Sequence, residues 1–348
     1  MDEPHEKSRF HRGCQDGKAI EIPQRVKRRS VFGVAFSVVM MGSSPAIAFA
    51  QQSGPSEPTV TFKATVEAVT VSAAVRDGHG KVIQGLKRSD FQVLDTGQPI
   101  QISDFYVGES PISLAILLDI SGSMAVGGNM DRAREAVNLA TMNLRDASDE
   151  AALFTFDSKL VQVVEFTKDL ARIRRVSLEG NPWGQTSLYD AIGYAARTVA
   201  DRASKHRALL VITDGVDTGS RLTPPQVSAI ASEIDVPVYL LTVVNPVDHP
   251  GGEFAVLSNE GRKAETATLA DLARWTGGDM RIASIPAHTV TALQDLFTEL
   301  RHQYLITFEP GTRPGWHPLE IRTTKKNLVV HARSGYMSGP SQSQVGSK

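Results

Sequence analysis

Uninterrupted apolar runs mark the central part of the chain. Residues 114–118, 208–213 and 236–244 are almost entirely apolar and lack the polar alternation of a half-exposed strand. A parallel strand covered on both faces has this pattern. Because apolar residues at helical spacing lie between the runs, residues 111–302 are predicted to form a mostly parallel α/β sheet with crossover helices. One such helical stripe comprises Leu188, Ala191, Ala195 and Val199.

Shorter runs of alternating apolar and polar residues flank this region. Before it, short runs bounded by turn residues predict a small antiparallel β module over residues 58–109. After it, three further apolar segments predict a β extension over residues 303–337. Residues 51–57 are a linker rich in Ser, Pro and Gln, and residues 338–348 are a polar tail that we expect to be disordered.

Cap residues place three helix starts inside the central region. Residues 187–190 are predicted to form a capping box, with Ser first and Asp fourth, and residues 223–226 combine a Thr cap with Pro at the first helical position. Residues 268–271 are predicted to open a third, shorter helix. Residues 246–266 are polar, contain Gly and show no periodicity, so we expect a loop insertion there.

The first 50 residues have the order of a secretory signal. A basic stretch ends at Arg28 and Arg29, residues 31–50 carry no charge, and the stretch ends in the small-residue sequence Ala48-Phe49-Ala50. This order predicts a long signal peptide cleaved after Ala50, with an uncleaved N-terminal anchor as the alternative. The Arg pair leaves twin-arginine export open beside the general secretory route. The expected location is periplasmic, envelope-associated or extracellular.

The net charge and the cysteine content bear on nucleic-acid binding and on disulfide formation. The formal net charge is -1, so there is no electrostatic argument for a nucleic-acid partner. The single cysteine, Cys14, lies in the leader, so the exported chain is expected to contain no disulfide. Contact with a membrane is expected only through an uncleaved N-terminal segment.

Polar side chains follow two of the buried strands at the point where each strand ends. Asp119, Ser121 and Ser123 alternate with apolar or small residues after the first strand, and Asp214 ends the strand formed by residues 208–213. In open α/β sheets, ligands bind outside the carboxyl ends of such strands. Hard cations such as Mg²⁺ or Ca²⁺ take oxygen ligands of this kind. The alternative is a polar loop whose hydroxyls cap the next helix.

These residues, with Thr186 in the intervening loop, resemble the metal-ion-dependent adhesion site of von Willebrand factor type A domains. That site combines Asp-x-Ser-x-Ser after the first strand, a Thr in a later loop, and an Asp in a Thr-Asp-Gly context after another strand. The resemblance covers residues 113–301 and implies a doubly wound sheet with helices on both faces. The implied metal ligands are Asp119, Ser121, Ser123, Thr186 and Asp214.

The resemblance also implies a function. In the family, a divalent cation at this site captures an acidic group of a partner protein, so we expect Mg²⁺, with Mn²⁺ or Ca²⁺ as alternatives, and a partner that presents Asp or Glu. The flanks, including residues 86–97 and residues 304–308, resemble bacterial exported proteins described as related to this family. Most of those proteins have no assigned function, so this resemblance concerns architecture.

Two other functions fit the same residues. An envelope scaffold could use the metal only to stabilise the domain. A metal-dependent phosphoryl-transfer enzyme could use the carboxylate at the strand end as a nucleophile. Phosphatases of the haloacid dehalogenase type carry Asp-x-Asp at that place, whereas Ser121 occupies the second position here, and no motif places a general base beside the serines. We therefore expect a binding protein and not an enzyme.

Overall fold

The structure, a computed structural model, describes residues 18–20, 68–178, 181–233, 235–245 and 268–339. Most of the predicted leader, the linker, the start of the β module, the loop insertion and the end of the tail lie outside the described residues. Predictions for those segments stay predictions.

A seven-stranded sheet forms the centre of the molecule. Its strands are β1 (Lys18–Ile20), β6 (Ile112–Asp119), β7 (Glu150–Phe156), β8 (Leu160–Thr167), β9 (His206–Thr213), β10 (Val238–Val243) and β11 (Met280–Ala283). Their order is β1-β8-β7-β6-β9-β10-β11. The five strands from β7 to β11 in this order are parallel, whereas β8 pairs antiparallel with β7, and β1 with β8. The predicted mostly parallel sheet is confirmed. From β6 the strands follow the chain outward in both directions, with β7 and β8 on one side and β9, β10 and β11 on the other.

Helices cover both faces of this sheet. They are α1 (Asn129–Asn143), α2 (Leu170–Arg174), α3 (Leu188–Ala200), α4 (Pro224–Glu233), α5 (Leu269–Trp275) and α6 (Pro286–Arg301). Side chains of β6 alternate between two cores: Leu114, Ile116 and Leu118 pack with α1, α2 and α6, while Ala115 and Leu117 pack with α3, α4 and α5. An apolar residue is therefore needed at every position from 114 to 118, which explains the unbroken run.

The predicted capping box at the start of α3 does not form. Ser187 is the N-cap residue, but its side chain accepts no capping hydrogen bond. The Asp190 carboxylate instead accepts the backbone N–H groups of Arg221 and Leu222, and Asp217 accepts the N–H of Leu188. Two carboxylates thus join α3 to the loop after β9. By contrast, the capping box at Thr268 is present.

Two four-stranded antiparallel sheets lie beside the α/β region. Their strands are β2 (Val69–Asp77), β3 (Phe91–Asp95), β4 (Gln98–Ile100), β5 (Ile102–Val107), β12 (Tyr304–Phe308), β13 (Gly315–Thr323), β14 (Leu328–Ala332) and β15 (Gly335–Ser338). The orders are β14-β2-β12-β5 and β15-β13-β3-β4. Each sheet takes two strands from the segment before β6 and two from the segment after α6.

These two sheets share one apolar core, so they form a β-sandwich. Val71 and Val93 from the first segment are packed in the same cluster as Ile306, Phe308 and Ile321 from the second. The predicted β module and the predicted β extension thus contribute to the same sheets. The described residues all belong to one compact unit.

Candidate metal site

The candidate site lies at the edge of the central sheet where β6 and β9 end. Asp119 is the last residue of β6, and a 3₁₀ segment, Gly122–Gly128, follows before α1 begins. Asp119 and Ser121 are fully buried, while Ser123 is partly exposed. The Ser121 and Ser123 hydroxyl oxygens lie 3.2 Å apart. The structure therefore brings the three residues of the first motif together at one turn.

Hydrogen bonds fix the orientation of the Asp119 carboxylate. Its Oδ1 accepts the backbone N–H of Ser121 at 2.9 Å, and its Oδ2 accepts the Thr213 hydroxyl at 2.6 Å. Thr213 is the last residue of β9, the strand next to β6, and its side chain is buried. The sequence does not assign this role to Thr213, because only the pairing of β6 with β9 brings the two residues together.

The loop that carries Thr186 is attached to the loop after β6 by two backbone hydrogen bonds. The Trp183 N–H donates to the carbonyl of Ile120 at 3.0 Å, and the Gly122 N–H donates to the carbonyl of Gly184 at 3.1 Å. Gly184 has a φ of +92°, a conformation that residues with a Cβ rarely adopt. This turn leads the chain to Thr186, whose side chain is buried.

The loop after β9 carries Asp214 and is joined to the Thr186 loop by hydrogen bonds. The N–H groups of Thr218 and Gly219 both donate to the Thr186 carbonyl, and the Thr218 hydroxyl accepts the Thr186 N–H at 2.9 Å. Asp214 is partly exposed, and Gly215 follows it with a φ of +90°. All five predicted ligands thus lie on, or directly before, three loops that are linked by hydrogen bonds.

The electrostatics of the site favour a cation. Burial raises the pKa of the Asp119 carboxyl to about 6, and the negative charge of Asp214 adds to the rise, although hydrogen bonds from Thr213 and Ser121 oppose it. A buried carboxylate beside a second carboxylate is costly unless a positive charge compensates it. A divalent cation bound between these loops would supply that charge.

The donor set fits Mg²⁺. Adjacent ligands of an octahedral Mg²⁺ with bonds of about 2.1 Å lie about 3 Å apart, which agrees with the separation of the Ser121 and Ser123 hydroxyls. Two carboxylates and three neutral hydroxyls are all oxygen donors, as hard cations require. Within the described ranges, no group of three or more His, Cys, Asp or Glu side chains forms an alternative metal site.

The described geometry agrees with the result of a family comparison. Residues 114–216, which include the strand β6, the Thr186 loop and Asp214, match the family model of the von Willebrand factor type A domain. Residues 114–216 are similar to a von Willebrand factor type A domain. The predicted family resemblance is therefore confirmed for this region. No match to the sequence was found among curated proteins.

Several solved structures are similar to this chain at low sequence identity. A variant of an aerotolerance-related membrane protein from Bacteroides fragilis is 19% identical over 54% of this chain and 98% of its own, with a TM-score of 0.40. A von Willebrand factor type A structure from Catenulispora acidiphila is 12% identical over 73% of this chain and 76% of its own, with a TM-score of 0.41. The PilB minor pilin from Streptococcus sanguinis is 14% identical over 59% of this chain and 63% of its own, with a TM-score of 0.38.

Proposed function

We propose that this protein is an exported, metal-dependent binding protein whose type A domain captures an acidic group of a partner protein. The observation that supports this proposal best is the arrangement of the three ligand loops. Backbone hydrogen bonds join the loop after β6 to the Thr186 loop, and join the Thr186 loop to the loop after β9. Ligands held in this way need little reorganisation to bind an ion, which favours binding.

The proposed ligands are Asp119, Ser121, Ser123, Thr186 and Asp214. When bound, a divalent cation supplies a positive centre with a coordination position that a carboxylate from outside can occupy. The two carboxylates balance the charge of the divalent ion without exceeding it. An external anion is therefore not repelled and can still bind at the open coordination position. We propose Mg²⁺ as the ion, with Mn²⁺ and Ca²⁺ as alternatives to test.

Burial of Asp119 supports binding over phosphoryl transfer. A nucleophile has to be reached by its substrate, but Asp119 is fully buried and both its oxygens already accept hydrogen bonds within the protein. The enzyme alternative predicts turnover of a phosphate ester in the presence of Mg²⁺. Turnover that is lost in Asp119→Asn would overturn the assignment as a binding protein.

Export is proposed from the leader pattern of residues 1–50, with its basic segment, uncharged core and small-residue end. Among the described helices, none is both long enough and apolar enough to cross a membrane. N-terminal sequencing of the protein recovered from the envelope or the medium tests the cleavage after Ala50. An N-terminus at Gln51 is the expected result.

Asp119→Ala is expected to remove Mg²⁺ binding. The variant loses one carboxylate ligand and the acceptor that orients the turn, so the Mg²⁺ affinity should fall by more than about 100-fold in isothermal calorimetry. Asp214→Ala, which leaves the buried hydrogen bonds of Asp119 intact, should show a similar loss. Asp201→Asn, which changes an exposed carboxylate at the end of α3, is the matched control.

Unchanged Mg²⁺ affinity in both ligand variants, with wild-type circular dichroism, would refute the site. A pull-down from envelope extract then separates the adhesion function from the scaffold alternative. If the metal takes part in capture, EDTA releases the partner and Asp119→Ala fails to retain it. A partner that is retained equally with Mg²⁺ and with EDTA would favour a scaffold with a structural metal.

A further inference from the structure

Each of the three loops that carry the proposed ligands also carries one large apolar side chain exposed to solvent. Trp183 is 83% exposed and precedes Thr186 by three residues; Val126 is 64% exposed and follows Ser123 by three. Val216 is 49% exposed and follows Asp214 by two. We call Val126, Trp183 and Val216 the apolar rim.

Backbone contacts hold the rim residues close in the fold to the proposed ligands. Trp183 donates its backbone N–H to Ile120, which lies between Asp119 and Ser121. The Val216 N–H donates to the Asp214 carboxylate at 3.3 Å. Gly127, next to Val126, comes so close to Asn245 at the end of β10 that an added Cβ would lie 3.0 Å from the Asn245 side chain. The rim residues therefore sit on the same sheet edge as the ligands.

Exposed apolar side chains grouped around a polar centre are typical of a protein-binding surface. Single exposed apolar residues are common, but a group rimmed by polar residues marks an interaction site. Tryptophan is the residue most enriched among those that dominate binding energy, and such residues are most effective where surrounding contacts exclude water. A free inorganic anion offers charge to the site, but it has no apolar surface to cover Trp183.

We infer that the partner segment recognised here is a peptide or protein loop in which the metal-binding Asp or Glu is flanked by large apolar side chains that pack on the apolar rim. This inference rests on the proposed function, because it takes the captured group to be a carboxylate. It adds that the rim, and Trp183 above all, selects among acidic segments. An acidic segment with polar neighbours should bind weakly.

A peptide library tests the inference with the full chain. The probe is a displayed library with a fixed central Asp and four random residues on each side, together with a matched library that has Asn at the centre. Both are selected on the immobilised protein in Mg²⁺ and eluted with EDTA. We expect the Asp library to be enriched, with Trp, Phe, Leu, Ile or Val next to the Asp, and the Asn library not to be enriched.

The most enriched peptide is then measured against two variants. Trp183→Ser should weaken its binding by about tenfold or more, because the aromatic contact with the peptide is lost. Met142→Ser, which removes an apolar side chain of 66% exposure near the end of α1, should bind within about twofold of the wild type. The Mg²⁺ affinity of Trp183→Ser should equal that of the wild type, since its side chain is outside the ligand set.

The outcomes separate the inference from the proposed function. Enrichment of Asp peptides with no apolar preference, or equal affinity of Trp183→Ser and the wild type, would overturn the inference and leave metal-dependent capture standing. Equal enrichment of the Asp and Asn libraries, or binding that EDTA does not reverse, would overturn both. Failure to enrich any peptide would overturn the inference, while calorimetry of Asp119→Ala still tests the metal site.

Discussion

At the scale of single residues, two buried histidines differ in the hydrogen bonds of their ring nitrogens. His317 lies in β13; its Nδ1 is 2.8 Å from an Asp95 oxygen, and its Nε2 is 2.7 Å from the carbonyl of Arg313. The Arg313 carbonyl and the Asp95 carboxylate raise the pKa of His317. His206 at the start of β9 is fully buried, and within the described part of the chain neither ring nitrogen has a hydrogen-bond partner.

His206 should make the protein less stable in mild acid. Burial, with the nearby charge of Arg301, lowers the pKa of His206 from 6.5 to about 4. Between these two values the unfolded chain binds a proton that the folded chain does not, so this residue lowers stability as the pH falls from 6.5 towards 4. The full loss is on the order of 3 kcal/mol.

Urea unfolding at pH 7.5 and at pH 4.5 measures this effect. We expect His206→Leu to lose less stability than the wild type between the two pH values. Other groups, such as Asp119, titrate in both proteins, so the difference between the two proteins isolates His206. An identical decrease in both proteins would contradict a depressed pKa at this residue.

At the scale of elements, a buried ionic network attaches α6 to the β-sandwich. Glu299 on α6 is fully buried and accepts hydrogen bonds from the Arg76 guanidinium of β2 and from the Tyr239 hydroxyl of β10. Arg76 also forms an ion pair with Asp279 at 2.9 Å. Two residues further along α6, Arg301 pairs with Asp149 at 2.9 Å. Movement of α6 along its axis would have to break these buried contacts.

Arg76→Met should destabilise the protein by about 3–5 kcal/mol, because it leaves the Glu299 carboxylate buried without its cation. The double variant Arg76→Met with Glu299→Gln should recover part of that loss, since both charges are then gone and the amide oxygen still accepts the Tyr239 hydroxyl. Urea unfolding measures the two variants. Hydrogen exchange should show faster exchange in α6 for the single variant, and a single variant as stable as the wild type would refute a clamping role.

At the scale of the whole molecule, the segment before β6 and the segment after α6 form the β-sandwich together. Strand β12 lies between β2 and β5, and β13 pairs with β3 along five residues. The sandwich core combines apolar residues of both segments, including Phe91 and Tyr304, whose rings lie 5.1 Å apart. The first segment alone retains the β3–β4 hairpin, which is marginally stable in water.

A chain that ends after residue 302 should therefore lose the sandwich. Limited proteolysis is expected to cut within residues 69–107 of the truncated protein under conditions in which the full chain resists. The described residues of 112–245 and 268–301 should stay protected, because their two apolar cores lie on the central sheet. Equal resistance of residues 69–107 in both proteins would show that the first segment folds without the second.

The elements that could be predicted from the sequence depend on local patterns. The unbroken apolar run of β6 and the helical stripe of α3 each follow from the burial of a continuous segment. The position of Asp119, Ser121 and Ser123 after a strand, together with Thr186 and Asp214 in similar places, was enough to propose a metal site. Ser187 is the N-cap of α3 as predicted, but the capping box was predicted wrongly, because the N–H of Leu188 donates to Asp217 of another loop.

The sequence by itself determined the α/β class, the order of buried strands and helices, and the five candidate ligands, because each is encoded within a short stretch. Only the tertiary structure decided which distant groups meet. It paired β2 with β12 and β14, brought the Thr213 hydroxyl to Asp119 across 94 positions, and brought Arg76 to Glu299 across 223 positions. Such contacts depend on strand order and burial, and no local pattern of residues encodes them.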